Sequence, residues 1–496
     1  MNTRLNTPLE AADWLRSRVT GSLWADSRKV GAGDGFIAWP GAATDARQYV
    51  SAVIEAGAQA CMVEAEGAAS FNFADEKIAT YAGLRSAAAP IAAAYFEEPS
   101  KHLQVVAVTG TNGKTSTAWW LAQALGKAGS RCGIVGTLGI GEPGAMVFNG
   151  LTTPDPVLLQ QQLRRFVNEG FAACALEASS IGIAEQRLDA TRVKVAIFTN
   201  FTQDHLDYHG SMEDYWQAKQ KLFSWAGLEA AVLNLDDDRG HELDGVLSGT
   251  GLDVWTVSIG GLARIRAEQI EHGAAGLSFD VVEGADRQRV STAMVGLYNV
   301  SNLLGVIAAM RALGVSLHDA AHACEDLSPV PGRLETLAVE GMPLVAIDYA
   351  HTPDALEKVL MALQPVAQSR NGRLWCVFGC GGDRDASKRP LMAAVAQKNA
   401  DRLLVTSDNP RSENPAAVIS QILLGLTHSE AVYVEADRAL AIRQAIREAH
   451  PADVILLAGK GHENYQEIKG VKHPFSDRTH AETELAARQP AMGSAS

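Results

Sequence analysis

Cysteine is scarce. The 496 residues hold six (Cys61, Cys132, Cys174, Cys324, Cys376, Cys380), none in a Cys-x-x-Cys spacing, which excludes a zinc knuckle or a dithiol redox centre and predicts buried thiols. No apolar run approaches the length needed to cross a bilayer, and Met1 to Glu10 lacks the apolar core of a secretory leader, so a cytosolic chain without membrane insertion is expected. No stretch is dense in lysine and arginine. With 43 basic against 57 acidic residues the formal charge is -14, which argues against nucleic-acid binding because counterion release needs a basic surface. Any anionic substrate must therefore be met by individual cations.

With 47% hydrophobic and 20% charged residues, the composition is that of a globular protein too long for one core. Three regions differ in texture, with predicted boundaries 1–100, 101–333 and 334–496. The first alternates short strand-like runs (Gly35 to Trp39, Ala60 to Val63) with amphipathic stretches such as Tyr49 to Ala56, as in a small α/β unit. In the second, apolar runs at Val105 to Val108, Cys132 to Val135, Ala172 to Leu176, Val193 to Phe198 and Ala231 to Leu235 alternate with helical segments, which predicts a doubly wound parallel sheet. A second alternating set (Leu344 to Ile347, Leu374 to Phe378, Arg402 to Val405, Val454 to Leu457) predicts a Rossmann-like third domain. Pro329-Val-Pro-Gly-Arg333 reads as the linker between the last two, and Ala491 to Ser496 as a frayed end.

The strongest local signal is the apolar run Val105 to Val108 feeding Gly110, Thr111, Asn112, Gly113, Lys114, Thr115 and Ser116. Glycines let the backbone curl N–H groups around phosphate oxygens, a helix beginning near Thr115 turns its positive end toward them, Lys114 neutralises outer phosphates and Thr115 suits Mg²⁺. The first glycine of the general phosphate-loop formula is missing, since Val108 occupies that position. Glu177 ends another apolar run, at the edge where open α/β sheets bind ligands. Asn200, Asp204, His205, Asp207 and His209 follow a third, where hard oxygens with a histidine suit Mg²⁺ or Mn²⁺; Asp204-His-Leu-Asp207 equally reads as a helix cap.

These strings, together with Glu177-Ala-Ser-Ser180, Thr199-Asn200, Asn299-Val-Ser-Asn302, Gly332-Arg-Leu-Glu335 and Asp348-Tyr-Ala-His-Thr-Pro353, resemble the ordered signature of the Mur ligase family from about residue 26 to residue 480. Members are ATP-dependent amide-bond-forming ligases that build the peptide stem of peptidoglycan. Asp408-Asn-Pro-Arg411 resembles the amino-acid motif of those that add meso-2,6-diaminopimelate to UDP-N-acetylmuramoyl-L-alanyl-D-glutamate, and Cys380-Gly-Gly-Asp-Arg-Asp385 and Gly459-Lys-Gly-His-Glu463 accompany it.

The resemblance implies an acyl-phosphate route, with ATP and Mg²⁺ required. It implies Lys114, Lys219 and His205 as catalytic residues, and Thr115, Glu177, His205 and a carbamylated Lys219 on the metal side. Lys221 is the competing lysine; by sequence alone Lys219 reads as a solvated helix residue. ATP would be held by residues 110–116 with Asn299, Asn302, Arg333 and Asp348, although Asn-x-x-Asn also reads as a helix N-cap. The UDP-sugar would meet Ser27, Thr152, Thr153, Ser179, Glu185 and Arg187, with Leu151, Ile181 and Glu185 departing from the frequent family residues. Arg384, Asp408, Asn409, Pro410, Arg411, Gly459 and Glu463 would bind the amino acid, the cations answering the distal carboxylate of diaminopimelate. The three regions would carry UDP-sugar, ATP and amino acid in turn, in a monomer. The rivals are a relative adding L-lysine or D-alanyl-D-alanine, or glutamate to a folate, a P-loop switch or kinase, and a non-catalytic nucleotide-binding regulator.

Overall fold

The structure is a computed structural model that describes residues 3–41, 44–273, 276–428 and 432–488. Met1 and the Ala491 to Ser496 end lie outside the described residues. Strands β1 (Thr3–Leu5), β2 (Leu23–Trp24), β3 (Gly35–Ala38), β4 (Ala60–Glu64) and β5 (Ile78–Tyr81) form a parallel sheet in the order β1-β5-β4-β3-β2. Its two faces are closed by separate apolar clusters. One includes Leu15, Ile37, Leu84 and Ile91 and extends to Val157, which lies on the Pro156–Asn168 helix of the next region, so the sheet is docked onto that region through its core.

The second region builds an eleven-stranded sheet from β6 (Gln104–Thr109), β7 (Cys132–Gly136), β8 (Gly139–Glu142), β9 (Ala145–Val147), β10 (Ala173–Glu177), β11 (Val195–Phe198), β12 (Ala230–Asn234), β13 (Asp253–Ser258), β14 (Ile265–Gly273), β15 (Gly276–Glu283) and β16 (Asp286–Thr292). The order β16-β15-β14-β13-β12-β11-β6-β10-β7-β8-β9 is parallel from β14 to β7. The predicted doubly wound core is present, but the sheet is mixed: β14, β15 and β16 run antiparallel at one edge, and β8 and β9 fold back at the other. Strands β10 and β11 flank β6 on opposite sides, so the chain reverses its winding direction there and opens a crevice beyond the C-terminal strand ends.

The third region orders β17 (Glu335–Leu337), β18 (Leu344–Asp348), β19 (Leu374–Phe378), β20 (Arg402–Val405), β21 (Val432–Val434) and β22 (Val454–Ala458) as β17-β18-β22-β19-β20-β21, parallel except for β17. A hairpin of β23 (Tyr465–Ile468) and β24 (Val471–Pro474) stands beside it. The six described cysteines are all free and buried.

Candidate active site

The phosphate loop is shaped by what its glycines permit. Gly110 has φ +146°, and a Cβ there would lie 1.9 Å from Thr199 Oγ1; at Gly113 (φ +85°) it would lie 2.5 Å from Asn302 Oδ1. The loop is thereby clamped between the segment after β11 and the Leu297–Ala312 helix. Asn200 Oδ1 accepts from Asn112 N (2.9 Å), Asn200 Nδ2 donates to Asn112 O (3.1 Å), and Thr199 Oγ1 donates to Asn112 O (2.6 Å). Lys114 opens the Lys114–Lys127 helix, and its Nζ donates to Gly110 O (2.9 Å) and Thr111 O (2.8 Å). Desolvation lowers its pKa against the pull of Glu177 and Asp204.

Glu177 lies buried at the end of β10, where Oε2 accepts from Thr115 Oγ1 (3.0 Å) and Thr137 Oγ1 (3.1 Å), and Oε1 from Thr137 N (2.8 Å). This hard-oxygen set lines a cleft of about 690 Å³ with Lys114, His205, Lys219, Asn299, Asn302, Arg333 and Asp348. The wider carboxylate-histidine metal set read after β11 is corrected. Asp207 is exposed on the short Leu206–His209 helix, and His209 packs 5.2 Å from Tyr215 with its Nε2 engaged by Ser180 Oγ at 3.0 Å. No three His, Cys, Asp or Glu side chains among the described residues converge on a metal position. The helix-cap alternative fails as well, since that helix has no side-chain cap bond.

Lys219 is 1% exposed, and its Nζ donates to Gly110 O at 2.7 Å over the face of Tyr215. The solvated-lysine reading is overturned by this burial; Lys221, by contrast, is exposed. Desolvation, reinforced by the Lys114 charge, holds the Lys219 pKa well below its ordinary value. His205 is pulled down to about 4 by desolvation, with Lys114 and Lys219 adding to the effect against Asp204. Asp204 joins the second and third regions: His351 and Lys388 lie 3.7 Å from its carboxylate, and the cations around it outweigh desolvation and hold it below the usual carboxylate range.

Against the phosphate loop, Asn302 Nδ2 donates to Asn299 Oδ1 (3.3 Å) and Asn299 Nδ2 to Val295 O (2.8 Å). Both lie inside the helix whose N-cap is Gly296, so the N-cap alternative does not hold. Arg333 lies over Tyr349 (4.3 Å) with Nη2 reaching Thr115 Oγ1 (3.3 Å), while Nη1 is buried and unpartnered. Asp348 accepts from Leu334 N and Ala350 N at 2.7 Å, and burial raises its pKa. The linker is packed rather than loose: a Cβ on Gly332 would lie 2.1 Å from His462 N.

The structure brings Thr152, Thr153, Ser179 and Arg187 together. Thr152 Oγ1 meets Thr137 Oγ1 (3.0 Å), Thr153 Oγ1 donates to Glu177 O (2.7 Å) and meets Ser179 Oγ (2.9 Å), and Arg187 Nη1 donates to Thr153 O (2.9 Å). Glu185 accepts from Tyr208 Oη (2.6 Å) and pairs with Arg85 of the first region. Ser27 sits apart, in a single turn beside the Asp26–Arg28 ion pair on the first sheet.

The amino-acid motifs meet between β20 and β22, where a Cβ on Gly459 would lie 2.5 Å from Asp408 Oδ2. Asn409 Nδ2 donates to Glu463 Oε2 (2.8 Å), Pro410 O approaches Gly382, and Arg411 Nη1 donates to Gly382 O (2.7 Å) with Nε 3.6 Å from Glu467. Arg384 is exposed on the neighbouring loop. Sequence reading missed Lys460 and Lys388, which carry no motif signal beyond lying in or beside quoted strings. It also missed Arg438, whose fully buried guanidinium pairs with Asp477 and donates to Ser407 O and Ala458 O, immediately before Asp408 and Gly459.

Comparison with known proteins follows the same outline. Residues 108–310 match the Mur ligase middle domain, and residues 332–461 the Mur ligase, glutamate ligase domain. The chain is 58% identical over 491 residues to the UDP-N-acetylmuramoyl-L-alanyl-D-glutamate--2,6-diaminopimelate ligase of Acidovorax sp. (strain JS42), covering 98% of each chain. It is 45% identical over 472 residues to the enzyme of that name from Pseudomonas aeruginosa, covering 95% of this chain and 96% of the other. A solved structure of a ligase with the same name superposes with a TM-score of 0.64 at 32% identity, covering 95% of each chain. The MurF ligase of Thermotoga maritima, solved with ADP, shares the fold at 17% identity with a TM-score of 0.68, covering 96% of this chain and 99% of that one. This chain belongs to the Mur ligase family.

Proposed function

We infer that this chain is an ATP-dependent ligase that joins meso-2,6-diaminopimelate to UDP-N-acetylmuramoyl-L-alanyl-D-glutamate in cytoplasmic peptidoglycan precursor synthesis. The 58% identity across 98% of both chains carries the reading. Residues 1–100 serve the UDP-sugar, 101–333 ATP and 334–496 the amino acid, in a monomer.

The D-glutamyl γ-carboxylate attacks the γ-phosphorus of ATP, giving an acyl phosphate and ADP; the amine then attacks the acyl carbon and phosphate leaves. Two anions meet in the first step, so catalysis depends on placing positive charge where they approach. Lys114, at the head of its helix, supplies one such charge. The Thr115 and Thr137 hydroxyl oxygens, each within 3.1 Å of Glu177 Oε2, form with it a set that fits a hard cation. Thr115 and Glu177, with His205 and a carbamylated Lys219 alongside, would hold Mg²⁺, which when bound would neutralise charge on the transferring phosphoryl group. A carbamate forms on a neutral amine, and the depressed pKa of Lys219 supports it as the modified residue. Asn299, Asn302, Arg333 and Asp348 orient the nucleotide, while Ser27, Thr152, Thr153, Ser179, Glu185 and Arg187 hold the UDP-sugar. Asp408, Asn409, Arg411 and Glu463, with Pro410, Gly459 and Arg384, receive the amino acid. Among the described residues no helix is long and apolar enough to span a membrane.

Product analysis tests the reading. ADP and phosphate should appear in equal amounts only when both the nucleotide-sugar dipeptide and the amino acid are present. Release without the amino acid, or phosphorylation of a hydroxyl, would point to a switch or a kinase.

A further inference from the structure

Among the described residues of the amino-acid region, Lys460 is the one fully buried lysine for which the mechanism above has no use. Its side chain is 0% exposed, and its Nζ donates to Asn409 Oδ1 (3.0 Å) and Glu463 Oε2 (2.9 Å). Asn409 Oδ1 also accepts from Glu467 N (2.9 Å), so the amide is oriented by two donors on its oxygen and must turn Nδ2 toward Glu463 Oε2 (2.8 Å). A primary amide carries two N–H donors and a carboxylate has two oxygens. Within this triangle one Nδ2–H and Glu463 Oε1 have no hydrogen-bond partner among the described residues.

We propose that Lys460 is a positioning residue of the amino-acid site, whose buried ammonium locks Asn409 and Glu463 so that one amide N–H and one carboxylate oxygen face the incoming amino acid. The proposal rests on the amino-acid reading of Asn409 and Glu463 given above. The pair left over is a donor and an anionic acceptor side by side, which matches the carboxylate and ammonium of an amino-acid end group. Without Lys460 the Asn409 oxygen keeps one of its two donors, Glu467 N, and Glu463, to which Nδ2 donates, loses the ammonium bonded to it in a site where it is only 13% exposed. Either change misplaces the two ligand-facing atoms while leaving the phosphate loop untouched.

Steady-state kinetics of the full chain carrying Lys460→Met, with ATP, nucleotide-sugar dipeptide and meso-diaminopimelate varied in turn, tests this. The KM for diaminopimelate should rise about tenfold or more, while kcat and the other two KM values stay within about twofold. Lys460→Arg, which keeps the charge and several donors, should recover part of the loss. In a Glu463→Gln background the same Lys460→Met change should add less than about threefold, because the acceptor it positions has already been altered. A parallel rise in all three KM values, or lowered thermal stability with an unchanged diaminopimelate KM, overturns the proposal. Should Lys460→Met fail to fold, Lys460→Arg decides: a reduced preference for diaminopimelate over L-lysine supports positioning, and a wild-type preference with wild-type KM overturns it. If the wild-type chain is driven by a different amino acid, the substrate reading fails by itself and the same kinetics are read with that amino acid.

Discussion

Lys219 and Gly110, 109 positions apart, are joined by a 2.7 Å hydrogen bond from a buried side-chain amine to the carbonyl at the head of the phosphate loop. The amine thus stands beside Lys114 in a desolvated place where carrying its own proton is unfavourable. Lys219→Ala is expected to lose activity by about a hundredfold or more, with partial rescue by acetate or another short carboxylate that fills the vacated anionic position. Lys221→Ala, on the exposed side, should retain wild-type turnover. Wild-type rates for Lys219→Ala, or intact mass and structure showing a plain amine, would count against the carbamate.

Lys114→Ala removes a phosphate-facing charge and two hydrogen bonds to loop carbonyls. Turnover measured as ADP release should fall by about two to three orders of magnitude, and the protein should remain folded by circular dichroism. A folded variant with unaltered turnover would contradict the phosphate-loop assignment.

Much of this site was legible because apolar strands end on polar motifs: β6 on residues 110–116, β10 on Glu177, and β20 and β22 on Asp408 and Gly459. Such strands are buried on both faces and read as continuous apolar runs. The antiparallel edge was not legible for the converse reason. Its strands alternate, with Ile265, Ala267, Phe279, Val281 and Val290 facing the core while Arg266, Glu268, Arg287 and Arg289 pair on the outer face. A search for continuous apolar runs passes over that pattern. The same limit hid Lys460 and Arg438, since a lysine or arginine reads as solvated until the fold buries it. Asp207 and His209 erred in the opposite sense, their spacing fitting a metal set until the fold left Asp207 exposed and engaged His209 with Ser180 and Tyr215.

Arg438 and Asp477 are both fully buried, and their pair ties the Asp477–Arg488 helix to the strand ends that carry Asp408 and Gly459. Asp477→Asn leaves a buried guanidinium without its counter-charge, which should cost about 3–5 kcal/mol. Denaturant unfolding of the variant would show this as a lowered midpoint for the transition that includes the third region. An unchanged midpoint would contradict the structural role.

His462 packs 5.4 Å from Tyr349 with Nδ1 buried and unpartnered, and desolvation, helped by Arg333 and Lys460, pulls its pKa down to about 3. Its folded pKa lies below the unfolded value, so between about pH 6.5 and pH 3 the unfolded chain binds the extra proton and stability falls as the pH drops. His462 should contribute a loss of about 1–2 kcal/mol between pH 7 and pH 5. Unfolding free energies at those two pH values should show a smaller drop for His462→Asn than for the wild type. Equal drops would remove His462 from the acid response.

The choice of amino acid is the central claim, and Arg411 exposes it most directly. Its Nη1 is engaged by Gly382 O, and no described residue accepts from Nη2, which leaves that edge of the guanidinium for a ligand carboxylate. Such a charge-assisted contact in a closed site is worth about 2–5 kcal/mol, and L-lysine lacks the distal carboxylate that would make it. The deciding measurement is kcat/KM for meso-diaminopimelate and for L-lysine, with the wild type and with Arg411→Ala, at saturating ATP and nucleotide-sugar dipeptide. The wild type should prefer diaminopimelate, and Arg411→Ala should lower that value by about thirtyfold or more while lysine changes far less. A wild-type preference for lysine, or equal losses for both amino acids, would contradict the account.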